Sequence, residues 1–239
     1  FHRFHHLIHV RHSPARCPSF ILSTEIIMLR SVKNLHFSPV LGLDGIIGDI
    51  DRFYFHEKGW SIVYFVVTGK DKFNGKTVLL PVELFQSFDW QSHELYVHVN
   101  DEQIALSPEI PDRLPEVKAS ELQLEKRFGW RSDTLHIGKA NRNDSGKKIK
   151  SWNASGNLVS TKTLLGLVLK AEDKRIGVID DMAVDENTWQ IRFLISHPHD
   201  HIAPRRLIVY PGWIKHISWV RKKIELVKTS DELVTSYLL

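Results

Sequence analysis

Apolar and polar positions along this 239-residue chain fall into short runs of strand length, separated by Gly, Asp, Asn and charged residues, and the arrangement occurs twice. Residues 46–67, IIGDIDRFYFHEKGWSIVYFVV, return without a gap at 175–196 as RIGVIDDMAVDENTWQIRFLIS, an offset of 129 that sets Gly177 on Gly48. Under the same offset Leu29, Ser31, Lys33 and Leu35 meet Leu158, Ser160, Lys162 and Leu164, while Trp60, Ile62 and Trp90 meet Trp189, Ile191 and Trp219. One ungapped offset sustained over about eighty residues marks two homologous units.

Each unit reads as all-β. Leu43-Asp44-Gly45 is a turn signal, and Gly48 inside a strand pattern marks a bulge or a close backbone approach. Ile50, Phe53 and Phe55 begin a strand, His56 to Gly59 turn the chain, and Trp60 to Val67 form the next strand; Asp185 to Thr188 take the turn's place in the second copy. A polar loop (68–76 and 197–206) leads to an apolar run (77–82 and 207–210), then to a turn at Trp90 or Trp219, and finally to the alternation of Leu95, Val97 and Val99 or of Ile224 and Leu226. Strands at this spacing predict a small barrel or sandwich with the four repeated tryptophans as core anchors. Helical tails are expected at 101–106 and 230–238, with Asp101-Glu102 and Asp231-Glu232 as structural acids in the first turn.

The predicted organisation is a leader at 1–27, a first unit at 28–108, a connection at 109–157 and a second unit at 158–239. Met28 immediately precedes the repeat, which suggests a native start there and a non-native or disordered leader before it. In the connection, Pro108, Pro111 and Pro115 preclude a continuous helix, residues 119–128 have a helical pattern, and 141–156 read as flexible. Such a tether leaves the units some freedom unless they pack together.

Composition adds limits. With 42% hydrophobic and 25% charged residues the chain can bury an ordinary core, and no apolar run approaches the length of a membrane helix. The single cysteine, Cys17, allows no internal disulfide and fits a reducing, cytoplasmic setting. The net charge of +4 is spread along the chain; only Lys147, Lys148 and Lys150 and the run Arg221-Lys222-Lys223 form clusters, which a solvated linker and a hairpin turn explain.

Candidate chemistry is thin. His197, His199, Asp200 and His201 offer imidazole and carboxylate donors suited to Zn or Ni, yet neighbours on one short loop rarely close a tetrahedral site. The leader's His2, His5, His6, His9 and His12 lack a scaffold. Asp49, Asp51, Asp180 and Asp181 flank the repeated strand, where a turn or solvent-facing role outweighs acid–base work. Neither a nucleophile elbow nor a phosphate loop is present. No residue is therefore assigned a catalytic, cofactor-binding or metal-ligating role, and no cofactor is expected.

The run MLRSVKNL from Met28, followed by LDGIIGDIDRFYF, Trp60-Ser61-Ile62, Lys76 to Leu80 and Phe88-Asp89-Trp90, resembles the PRC-barrel domain; IGVIDDMAVDENTWQIRFLI and RRLIVYPGWIKHISW in the second copy resemble it more closely. Lys126 to Trp130 is similar to the stretch that follows the first barrel in bacterial proteins with two such domains. The resemblance implies two tandem small antiparallel β-barrels joined by a partly helical, partly flexible linker, acting as docking or assembly modules without catalytic residues. Two departures stand out: Asp173-Lys174 replaces Asp-Gly in the second copy, and the loops at Lys70 to Phe73 and His197 to His201 lack the usual apolar, Trp-containing character. The functional expectation is a non-enzymatic protein-interaction module with an unidentified protein partner. An RNA- or ribosome-associated factor is the alternative, and a metal- or stress-linked binding protein a weaker one. Self-association is left open.

Overall fold

The computed structural model describes residues 28–107, 158–198 and 206–235. The leader, the connection at 109–157, and His199, Asp200 and His201 lie outside them.

In chain order the first half contains β1 (Leu29–Ser31), α1 (Val32–Leu35), β2 (Pro39–Gly42), β3 (Gly45–His56), β4 (Ser61–Gly69), β5 (Thr77–Pro81), β6 (Phe85–Asp89), β7 (Glu94–Val97) and α2 (Asp101–Leu106). The second repeats that order as β8 (Leu158–Ser160), α3 (Thr161–Leu164), β9 (Val168–Lys170), β10 (Arg175–Asp185), β11 (Ile191–Pro198), β12 (Leu207–Val209), β13 (Ile214–Ser218), β14 (Lys223–Leu226) and α4 (Ser230–Thr235). The protein is mostly β, in two seven-stranded sheets. Their paths run β5-β4-β3-β2-β7-β6 and β12-β11-β10-β9-β14-β13. All pairings are antiparallel except β2 with β7 and β9 with β14, which are parallel.

The seventh strand of each sheet comes from the other half. β1 pairs with β10, Leu29 opposite Asp185 and Ser31 opposite Ala183; β8 pairs with β3, Leu158 opposite His56 and Ser160 opposite Tyr54. These pairings are identical under the offset of 129, so the halves exchange their first strands reciprocally about an approximate two-fold. The cause lies in β3 and β10 themselves. β2 covers only Gly45 to Asp49 of β3, leaving the far end of that long strand with an open edge, which β8 fills. At the centre, Ser61 bridges Gln190, the Ile62 N–H donates to the Trp189 carbonyl at 2.8 Å, and the Ile191 N–H donates to the Trp60 carbonyl at 2.7 Å.

Several predicted features take their expected form. Gly48 and Gly177 mark close approaches, since a Cβ there would lie 2.0 Å from the Thr68 carbonyl oxygen and 2.3 Å from that of His197. Leu43 and Asp44 form the turn before Gly45, whose φ is 112°. The acid of that turn also reaches across its unit. Asp44 accepts from the Asp101 N–H at 2.9 Å and Asp173 from the Ser230 N–H at 2.8 Å, so each tethers the start of its half's terminal helix. In α2 Asn100 and Gln103 form a reciprocal capping box, with Asp101 and Glu102 in the first turn as expected.

Other features differ. Trp60 is not in a strand: it ends the hairpin turn with φ 54°, and Trp189 matches it at 55°. α1 and α3, a single turn each capped by Ser31 and Ser160, are too short to leave a periodic pattern in the sequence. The sequence left open whether the halves pack together, and they do. One buried cluster runs through both, joining Phe53, Phe55 and Phe65 to Trp189, Met182 and Leu194. β4 is buried on both faces, because a continuous run of β-branched and aromatic residues packs Phe65 and Val67 inward and Tyr64 and Val66 into a second cluster with Tyr54 and Leu79.

Candidate functional site

The approximate two-fold creates two equivalent seams where a hairpin turn of one half meets the β-hairpin of the other. In the first, the turn ending at Trp189 faces β6 and β7; in the second, the turn ending at Trp60 faces β13 and β14. Equal backbones carry different side chains, and the seams end up different.

The first seam is filled. Trp189, 8% exposed, sits 4.9 Å from both Phe65 and Phe85 and 6.4 Å from Phe53, centroid to centroid. The Arg30 guanidinium lies 3.6 Å above the Trp90 ring and donates to Glu186 at 2.7 Å, joining β1, β6–β7 and the facing turn.

The second seam is open. Met182, Leu194 and Ile214 stand at the positions equivalent to Phe53, Phe65 and Phe85, and Trp60 stays half-buried and stacks on Phe55 of its own half at 5.3 Å. Val159 stands where Arg30 does in the other seam; it is buried and carries no donor. The Trp219 Nε1–H instead donates directly to Glu57 at 3.2 Å. What remains is a shallow groove of about 400 Å³ lined by Glu57, Trp60, Ile214, Lys215, Ile217 and Trp219. Trp189 is thus the core anchor expected of all four repeated tryptophans; Trp60, Trp90 and Trp219 pack against the core from its rim.

Charge separates the seams as well. Residues 82–99 contain Glu83, Asp89 and Glu94 and no Lys or Arg, whereas the equivalent 211–228 contain Lys215, Arg221, Lys222, Lys223 and Lys228 against Glu225 alone. Lys223 pairs with Glu225 at 2.6 Å and Lys228 with Glu232 at 3.2 Å; Lys215 lines the open groove, and Arg221 and Lys222 lie in the hairpin turn after Trp219.

The repeated aspartates have work other than turns. Asp51 and Asp180 are the extra residues of bulges in β3 and β10, between Ile50 and Arg52 and between Ile179 and Asp181. The bulge turns each carboxylate towards the other half, where Lys162 meets Asp51 and Lys33 meets Asp180 at 2.5 Å. The Lys33 hydrogen bond holds the Asp180 carboxyl below its usual range, with Arg206 and His197 adding to the effect. Asp181 accepts from the Ser31 hydroxyl at 2.5 Å and from the N–H groups of Lys33 and Met182 at 3.0 and 2.7 Å, fastening β1 and α1 to β10. Asp49 pairs with Lys70 at 3.1 Å.

Of the suggested metal loop only His197 is described, exposed near the end of β11. Its acidic neighbour Asp180 already serves two cations, which leaves that carboxylate poorly placed to recruit a third. Among the described residues no group of three His, Cys, Asp or Glu side chains is arranged to hold a metal, and no helix is long and apolar enough to cross a membrane.

No family model matches the chain, and no curated protein matches it in sequence.

Proposed function

We propose that the chain is a non-enzymatic interaction or assembly module built from two PRC-barrel-like halves, each completed by a strand of the other, with the open seam as its docking site. The carrying observation is the difference between two equivalent seams: one is packed by Arg30, Trp90 and Trp189, while the other keeps Trp60 and Trp219 beside a groove. Half-buried aromatic residues in a concave site, rimmed by charge, are suited to anchoring a partner. The carboxylates of the long strands are engaged with cations or backbone donors, which supports a structural role for them.

A second reading, an RNA- or ribosome-associated factor, draws on Lys215, Arg221 and Lys222 beside Trp219. Affinity capture on the full chain from native extract, with and without RNase and in parallel with Trp219→Ala, separates the two. One protein retained under both nuclease conditions and lost in the variant is the expected result. Ribosomal proteins released by RNase would replace the first reading with the second, and capture indifferent to Trp219→Ala would remove the groove as the docking site.

A further inference from the structure

We infer that the open seam takes an acidic, extended polypeptide segment of a partner protein, added as a strand along the free edge of β13; this rests on the interaction-module reading and specifies its ligand. Three independent observations converge there.

First, β13 is the last strand of its sheet, paired with β14 on one side and with no strand on the other among the described residues. Such an edge presents backbone N–H and C=O groups ready to pair with an incoming chain. Second, the groove lies beside that edge: Ile214 and Ile217 of β13 form one wall, Trp219 follows the strand, and Trp60 projects from the facing turn. Side chains of an added strand alternate between faces, so every second residue would meet the aromatic wall. Third, the cations there, Lys215, Arg221 and Lys222, make no ion pair among the described residues. Lys215 is exposed within the edge strand, and Arg221 and Lys222 occupy the hairpin turn next to Trp219, whereas the equivalent hairpin of the first half has no Lys or Arg. The charge complement is a carboxylate-bearing strand with apolar residues in alternation.

The sequence places the same elements in the first half, yet there β6 carries Gln86 and Ser87 where β13 has Lys215 and His216, and its seam is closed by Arg30. Only one of the two homologous edges therefore offers this site.

The test is fluorescence anisotropy of the full chain with a labelled eight-residue peptide alternating Glu and Val. Comparison probes are the same peptide with Lys for Glu, the Glu peptide N-methylated at alternate residues, and oligouridylate of equal charge. Expected are saturable, salt-sensitive binding of the Glu peptide, at least about tenfold weaker binding of the Lys and N-methylated peptides, and a similar loss in Lys215→Glu and Trp60→Ala. Trp90→Ala should bind as wild type does. Lys215→Glu changes an exposed side chain and its fold is verified by circular dichroism; should it not fold, Lys215→Gln serves with an expected loss of at least about threefold.

Undiminished binding of the N-methylated peptide would overturn strand addition. Equal binding of the Glu and Lys peptides, tighter binding of oligouridylate, or indifference to Lys215→Glu would overturn the acidic segment. Salt-sensitive dimerisation of the chain, abolished by Lys215→Glu and competing with the peptide, would make a second copy's acidic hairpin the occupant and also overturn it. Absence of peptide binding alongside groove-dependent capture of a protein would refute this inference and leave the interaction-module reading intact.

Discussion

The two seams are the same backbone arrangement solved with different side chains, and the contrast shows how a symmetric scaffold can fill one seam and leave a groove in the other. Around Trp189, three phenylalanines and the Arg30–Trp90 contact close the space. In the seam of Trp60, Met182, Leu194, Ile214 and Val159 stand at the equivalent positions, and a groove remains beside the ring. Both tryptophans have the same left-handed backbone and matching hydrogen bonds at the centre, so the difference arises from side chains, in their packing and their charge. A scaffold doubled in this way can dedicate one seam to stability and release the other for binding.

The largest test of the contrast is to truncate the paired tryptophans. Trp189→Ala removes a buried ring from three aromatic neighbours and should cost about 3–5 kcal/mol in urea unfolding. Trp60→Ala, starting from a half-buried ring, should cost less than half of that. Equal losses would break the comparison.

The next effect concerns turns that differ in charge. At the position where the first half has His56, the second has Asp185, buried and paired with Arg192 at 2.8 Å. Burial by itself would raise the Asp185 carboxyl, but hydrogen bonds from Arg192, Thr188 and the Asn187 N–H outweigh it and hold it below the usual range. A folded-state value below the unfolded value of about 3.9 gives stability that is complete above that pH and lost as pH falls through the folded value. Asp185→Asn should therefore cost about 2 kcal/mol at neutral pH and flatten the acid limb of the stability profile. An unchanged limb would contradict the assignment.

Arg30→Ala should cost about 1–2 kcal/mol, the sum of a cation–π contact and a charge-assisted hydrogen bond, and should shift tryptophan emission to the red as Trp90 meets water. The smallest effects belong to the feature that both halves share. Lys33→Ala and Lys162→Ala each break a partly exposed bridge between halves, and each should cost about 0.2–1 kcal/mol. A clear difference between them would show that the two-fold fails at the bulges too.

The repeat, the strands of each hairpin, the close approach at Gly48 and the turn at Asp44 were legible because they depend on local pattern and turn chemistry, whereas the reach of Asp44 to the Asp101 N–H was not. The strand exchange was not, for a physical reason. In a chain with two homologous halves, a pairing of Ser160 with Tyr54 and a pairing of Ser31 with Tyr54 satisfy the same alternation and the same offset. Period tells which face a residue occupies and not whose strand lies alongside. The pattern sets Asp51 and Asp180 beside turns for the same reason, since a bulge declares itself only through the register of its neighbour. The open seam was hidden differently: a repeat search rewards identities, whereas this site is made by differences, Val159 for Arg30 and Ile214 for Phe85. The pointers were the run Arg221-Lys222-Lys223 and the reversal of charge between 82–99 and 211–228, and a solvated hairpin turn explained the run equally well.

Reciprocal exchange within one molecule is the claim on which the rest depends, and paired cysteines test it most directly. In a chain with Cys17 replaced by Ser, the pair Ser31→Cys and Ala183→Cys should oxidise to an intramolecular disulfide in the monomer, since these residues face each other across β1 and β10. The pair Ser31→Cys and Tyr54→Cys should not. Efficient closure of the second pair instead of the first, or a disulfide of the first pair found only between two chains, would contradict the account.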